Sequence, residues 1–352
     1  MRKLFAFMLV GSLFVFFAGT CQAEPTIKPF GFTHLWWQYS DNDDFEVTKN
    51  LKRARLGALG NLTPDMNYMV LSEWGDGTYF HPFTLLDAWV NYKIDPAFNI
   101  KVGQTWYKFT LTGTGTLPKL PLINRAQAIN SIWTNMGRKG SYAYDKGVEL
   151  WGNMKCHGKP CGYFLFVTGG TGLDNFDDNG KLDYCLRVFK SPTECLQIGA
   201  SGFMGSSRVD LTSSLGSIVE KDVAENAMGV DISYKKNKLR LICEYLQANY
   251  ESSSELEAGQ TYTIAEQKLM GMYFTAGYMV MDAVEAVARY DMYDPDADQS
   301  ESSIHTLTLG ITCSLKGNAL NDLKVNYTTC SVDDNYGAKP ADVVAVQMQL
   351  AF

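Results

Sequence analysis

TLTLGITCSL (306–315) and MGVDISYK (228–235) decide the fold. In the first, Leu307, Leu309, Ile311, Cys313 and Leu315 alternate with Thr306, Thr308, Gly310, Thr312 and Ser314; in the second, Met228, Val230, Ile232 and Tyr234 alternate with Gly229, Asp231, Ser233 and Lys235. A strand sends successive side chains to opposite faces, so this period of two makes one side oily and the other polar. The same rule fits Leu86, Ala88, Val90 and Tyr92 against Asp87, Trp89, Asn91 and Lys93, and Leu323, Val325 and Tyr327 against Lys324, Asn326 and Thr328. At the end of the chain Val344, Val346, Met348, Leu350 and the terminal Phe352 form one apolar face. No long amphipathic helix stands out.

Marked this way, the chain carries about sixteen strands. Their connections alternate in length: 62–65, 95–96, 154–160, 191–193, 237, 281–282 and 317–318 are short, whereas the intervening ones, which include 110–142, 169–180, 206–225, 252–265, 294–302 and 333–342, are long and polar. Short turns at one end and long loops at the other predict a closed antiparallel transmembrane β-barrel, because a sheet in lipid must close to satisfy its backbone groups. A soluble β-sandwich also alternates, but it needs polar outer faces, and here the alternate face of most strands is Ala, Val, Leu or aromatic.

The start of the chain fits export. Arg2 and Lys3 precede the apolar run LFAFMLVGSLFVFFAG, and Thr20-Cys21-Gln22-Ala23 offers small residues ahead of a cut before Glu24. The expected division is a signal peptide over 1–23 and a barrel domain over 24–352. Cleavage before Cys21, as in a lipoprotein, is the alternative, for which Thr20 is a poor preceding residue. With 46% apolar and 20% charged residues the chain folds. Its net charge of −7 becomes −9 once Arg2 and Lys3 leave, which excludes nucleic-acid binding through bulk positive charge. Seven cysteines follow the leader; Cys156 and Cys161 flank His157-Gly158-Lys159-Pro160, the spacing of a disulfide across a turn.

Three segments, KRARLGALGNL (52–62), LLDAWVNYKIDPAFNIKVGQTWYKF (85–109) and YDKGVELWG (144–152), resemble the N-terminal half of the phosphate-selective porin family, O and P type. DYCLRVFKSP (183–192) and LQIGASGFMGSS (196–207) are similar in layout. The resemblance implies a sixteen-stranded homotrimeric porin of the Gram-negative outer membrane, with a long third loop folded into the bore. Specialised members guide phosphate along a ladder of arginines; no dense arginine run lies on these strands, and the Pro usual shortly after Gly103-Gln104 is missing.

A diffusion pore selects by charge and width at its narrowest section. The third long connection, 110–142, contains Lys119, Arg125, Arg138 and Lys139 and no acid, a charge of +4 within a negative protein. These four are the expected anion-attracting residues of the constriction. Leu120, Leu122, Ile123, Ile129, Ile132 and Trp133 would pack the loop against the wall. Arg53, Arg55, Lys101, Arg187, Arg240 and Lys324 sit at inward positions of their strands and are expected to face water, either in transport or paired with luminal Glu73, Asp87, Asp145, Glu149, Asp231 and Glu244. Asp41, Asp43 and Asp44, then Asp174, Asp177 and Asp178, then Asp294, Asp296 and Asp298 place acids at the outer end; NFDDNG (175–180) begins like a calcium loop but has Leu186 at its twelfth position.

No G-x-S-x-G or H-E-x-x-H occurs, and His34, His81, His157 and His305 are dispersed, so neither an enzyme nor a cofactor is expected. The expected function is a water-filled, anion-preferring channel for small hydrophilic solutes, including phosphate or other small anions, with lipid and lipopolysaccharide around it. The alternatives are a weakly selective or cation-leaning pore governed by the acidic rim, and a structural or adhesive barrel that does not conduct.

Overall fold

The alternation resolves into strands in the computed structural model, which describes residues 24–41, 47–75, 83–135, 143–170, 172–173, 177, 179–212, 218–254, 263–315 and 318–352. The first quarter of the wall is β1 (Lys28–Ser40), β2 (Val47–Thr63), β3 (Met66–Glu73) and β4 (Thr84–Asp95). Next come β5 (Phe98–Trp106), β6 (Tyr144–Cys156), β7 (Lys159–Thr168) and β8 (Asp183–Thr193). Then follow β9 (Leu196–Thr212), β10 (Ile218–Lys236), β11 (Leu239–Ser254) and β12 (Thr263–Met281), of which β10 and β12 run to 19 residues each. The circle ends with β13 (Val284–Asp294), β14 (Ile304–Leu315), β15 (Asn318–Val332) and β16 (Val343–Ala351).

Every strand pairs antiparallel with its chain neighbours, and β1 closes on β16 from Phe32 opposite Ala351 to Ser40 opposite Val343. Gly31 and Phe352 extend the seam by exchanging backbone hydrogen bonds of 3.2 and 3.0 Å. Closure leaves no free edge, the condition for crossing a bilayer as a sheet. No described helix is long and apolar enough to cross a membrane.

The outward face is the oily one. Leu56, Val90, Val148, Leu186, Val230, Ile232, Leu309 and Ile311 are all exposed on it. Outward aromatic residues gather near both ends, Tyr92, Phe98 and Tyr278 by the short turns and Trp37, Tyr184 and Tyr290 by the long loops, the levels at which such rings meet the lipid interface. Inward positions carry polar groups with partners: His34 Nε2 lies 2.8 Å from Gln349 Oε1, and Asn91 donates to Asn67 at 2.9 Å. Cys156 and Cys161 form a disulfide with Cα atoms 5.9 Å apart, closing the β6–β7 turn.

Two connections are shorter than the sequence pattern predicts. The 206–225 segment is mostly the paired ends of β9 and β10, Thr212 opposite Ile218, and 252–265 is likewise taken up by β11 and β12, Ser254 opposite Thr263. A strand needs about ten residues to cross lipid, so a strand of 19 runs well beyond it, where neither face is selected to be oily and alternation fades. Asp294 likewise ends β13 instead of lying in a loop. Residues 1–23, the expected signal peptide with Cys21, lie outside the described residues, as do Asp43, Asp44, His81, Asp174 and Asp178.

Candidate functional site

Loop 3 joins β5 to β6, and its described part, residues 107–135, crosses the bore. It contains a short helix α1 (Leu111–Thr114), a 3-10 turn (Leu117–Lys119) and a helix α2 (Gln127–Asn135). The apolar residues of α2, Ala128, Ile129, Ile132 and Trp133, follow helical spacing and are buried. They pack with Tyr107, Phe109, Phe166, Phe203 and Leu246, so the main hydrophobic core lies inside the barrel, between the loop and its wall. Leu120, Leu122 and Ile123 are buried as well.

Polar pins hold the loop along the far wall. Thr110 N–H donates to Ser201 Oγ at 2.9 Å on β9, and Thr112 N–H to Glu244 Oε1 at 2.6 Å on β11. The Gln127 N–H at the start of α2 donates to Asp291 Oδ2 at 2.8 Å on β13, a carboxylate where the helix dipole favours one. Loop carbonyls accept from Arg289 (Asn124 O, 2.8 Å), Thr312 (Pro121 O, 2.9 Å), Lys324 (Leu120 O, 2.8 Å) and Gln349 (Pro118 O, 3.1 Å). The wall yields to the loop at two glycines. A Cβ on Gly271 of β12 would stand 2.1 Å from Ala128 Cβ, and one on Gly310 of β14 would stand 2.5 Å from Leu122 Cδ2.

Two hollows flank the loop and share Lys119 and Arg125. Toward β1–β4 a cavity of about 490 Å³ is lined by Arg53, Arg55, Lys119, Arg125, Trp106 and Tyr144. Toward β10–β13 a smaller one of about 250 Å³ is lined by Lys119, Arg125, Lys235, Arg240, Tyr273 and Arg289. Lys119 is exposed, and it has no ion pair among the described residues. Arg125 donates to the carbonyls of Thr112 and Gly115 at 3.2 and 2.9 Å and stacks 4.8 Å from the Trp133 ring. Burial, and then the nearby Arg53 and Arg55, bring its guanidinium down to about 10, so it stays charged at neutral pH. Arg138 and Lys139 lie outside the described residues.

The six wall cations all occur on the inner face, each beside an acid. Glu73 holds both Arg53 (3.3 Å) and Arg55 (2.7 Å); Lys101 pairs with Glu149; Arg187 is bidentate on Asp231 at 2.5 and 3.0 Å; Arg240 pairs with Glu285; Lys324 lies 3.5 Å from Asp322. Two of them depart from the sequence expectation of facing water. Arg187 and Lys324 are only 2% and 1% exposed, because loop 3 and the wall cover them, and Lys324 serves as one of the loop's pins.

Several inward cations escaped the pattern reading. Arg289 was hidden in a strand whose neighbours include Asp291. Lys52 turns inward because β2 carries a bulge opposite His34 and Leu35, and its ammonium sits 4.9 Å from the Trp36 ring. Lys108 lies buried 3.2 Å from the Trp106 ring centre, and burial lowers its ammonium to about 7. His305 is an ordinary rim residue, 2.8 Å from the Tyr290 hydroxyl.

With the barrel and its crossing loop in view, the comparison with known proteins is direct. Residues 32–160 match the family model of phosphate-selective porin O and P. That span runs from β1 through loop 3 to the β6–β7 turn, over a third of the chain. The fold is that of solved porins. An anion-selective porin from Comamonas acidovorans superposes with a TM-score of 0.67 at 14% identity, covering 94% of this chain and 100% of that one. The outer membrane channel DcaP of Acinetobacter baumannii gives 0.62 at 16% identity, with 95% and 100% covered. OmpT, an outer membrane protein of Vibrio cholerae in its trimer form, gives 0.61 at 10% identity, with 94% and 100% covered. A search of curated proteins returns no significant match.

Proposed function

We propose that this porin-fold chain forms a water-filled, anion-preferring diffusion channel of the Gram-negative outer membrane, assembled as a homotrimer and passing small hydrophilic solutes. The observation that carries the reading is the composition of loop 3 where it divides the bore. Lys119 is exposed and without an ion-pair partner among the described residues, and Arg125 is held by carbonyls and an indole, so both keep their positive charge for whatever passes. An anion that sheds part of its water there is attracted at short range, and a cation is repelled. Lys101, Arg187, Arg240 and Lys324 each have an acid of their own, whereas Arg53 and Arg55 share Glu73, so the excess charge belongs to the loop and to that arginine pair. The family match and the anion-selective structural neighbour support the same sign. Phosphate is a candidate solute on the strength of the family match.

The test is a planar bilayer with detergent-purified protein under a potassium chloride gradient. The reversal potential is expected on the chloride side, and added phosphate is expected to reduce the chloride current. A reversal potential on the potassium side would overturn the reading in favour of a pore governed by its acidic rim. Folded trimers without conductance would point to a structural barrel.

A further inference from the structure

The hollow toward β1–β4 has a feature that selection of hydrated inorganic ions does not require. The register of β2 on β3 places Arg55 opposite Glu73, Gly57 opposite Leu71 and Leu59 opposite Met69, all on the inner face. On the other side of β2, Arg55 faces Phe32 and Gly57 faces Phe30. Inward of the two arginines, toward the short turns, the wall is therefore apolar on the face that should be polar. Gly57 sits beneath this patch, with Phe30 Cζ 2.9 Å and Leu71 Cδ1 3.0 Å from where its Cβ would stand. Leu59 remains 41% exposed, and Phe30 and Met69 are partly so. The patch lines the same cavity as Arg53, Arg55, Lys119 and Arg125.

Leaving apolar surface wet forgoes about 25 cal/mol for each Å² that a solute could cover. Chloride and phosphate gain nothing by covering it, since neither has apolar surface to bury. A solute with a charged end and an oily body can. Glu73 takes the Nε of Arg55 and one terminal nitrogen of Arg53, which fixes both forks and leaves further guanidinium donors on the cavity side.

We propose that this hollow takes small organic anions with an apolar body, of the class of aromatic monocarboxylates, the carboxylate on the arginines and the ring on the apolar patch. The proposal rests on the anion-preferring reading and narrows its substrate class. Benzoate and acetate carry the same charge on the same group and differ in the ring, so their contrast isolates the patch. If the ring covers about 50 Å² of wall, benzoate binds on the order of tenfold tighter than acetate.

The experiment titrates benzoate, acetate and inorganic phosphate separately against the chloride current of the reconstituted channel, well above the carboxylate pKa. Half-block is expected at about tenfold lower concentration for benzoate than for acetate, and the double change Leu59→Asn with Met69→Gln is expected to bring the two together. Met69→Leu is expected to keep the difference. Equal half-block by benzoate and acetate overturns the proposal, as does a difference that survives the double change in folded trimers. Phosphate blocking more tightly than benzoate also overturns it, in favour of an inorganic anion site. The potassium chloride gradient, read in the same bilayers, shows separately whether the anion preference itself fails.

Discussion

Replacing Lys119 by Glu changes the charge on loop 3 between the two hollows by two units without removing an ion pair among the described residues. The side chain is exposed and makes no ion pair among the described residues, unlike Arg125, whose bonds to Thr112 and Gly115 hold the loop. A cavity of 490 Å³ treated as a sphere has a radius of about 5 Å, which sets the separation between a passing ion and the wall charge. At that distance a unit charge is worth about 0.8 kcal/mol in the dielectric of water, and two units about 1.7. With a Debye length of about 10 Å, screening leaves roughly 1 kcal/mol. Chloride loses that amount and potassium gains it, so the permeability ratio falls by about 2 kcal/mol, on the order of 30-fold. Lys119→Gln should give about half of this on the free-energy scale, roughly a fivefold fall. Reversal potentials under a potassium chloride gradient measure both. If Lys119→Glu leaves the ratio where it was in channels of normal conductance, loop 3 does not set selectivity and the reasoning is wrong.

Three further outcomes are expected. Gly271→Val drives a methyl into Ala128 and should lift α2 from the wall, costing about 1–3 kcal/mol; a lower thermal transition of the folded protein and a changed single-channel conductance would register it. Lys324→Met removes the ammonium that donates to the Leu120 carbonyl and leaves Asp322 beside an apolar chain, so limited proteolysis within loop 3 should accelerate. Lys108, lowered to about 7 by burial against the opposing pull of Glu149 and Asp87, gains its charge as pH falls through that value and loses it above. Anion preference should therefore be stronger at about pH 6 than at about pH 8, and Lys108→Met should flatten this change; equal slopes in the two proteins would remove Lys108 as the source.

The barrel was legible wherever lipid imposes an oily face, as in 306–315, because membrane exposure leaves one pattern per strand. It was least legible in β9–β12, whose paired ends extend past the lipid, where nothing imposes alternation. The loop cations Lys119 and Arg125 were readable from charge contrast alone, and both line the two hollows. The spacing of Ala128, Ile129, Ile132 and Trp133 carried the signal of α2, a single short helix easily lost among strands. The apolar patch was not readable: once Phe30, Leu59 and Met69 sit on the inner face, alternation no longer tells lumen from lipid, and only the cross-strand register does. Lys52 was missed for a related reason, since a bulge shifts the face of every residue on one side of it.

The glycines under loop 3 make the loop and its wall a single fitted part. Grafting 107–143 onto another sixteen-stranded barrel would meet side chains where Gly271 and Gly310 leave room, and would lack Lys324, Thr312 and Asp291 to receive it. Exchange of selectivity between such barrels by recombination therefore has to carry β12 to β15 along with the loop, although more than a hundred residues of chain separate them.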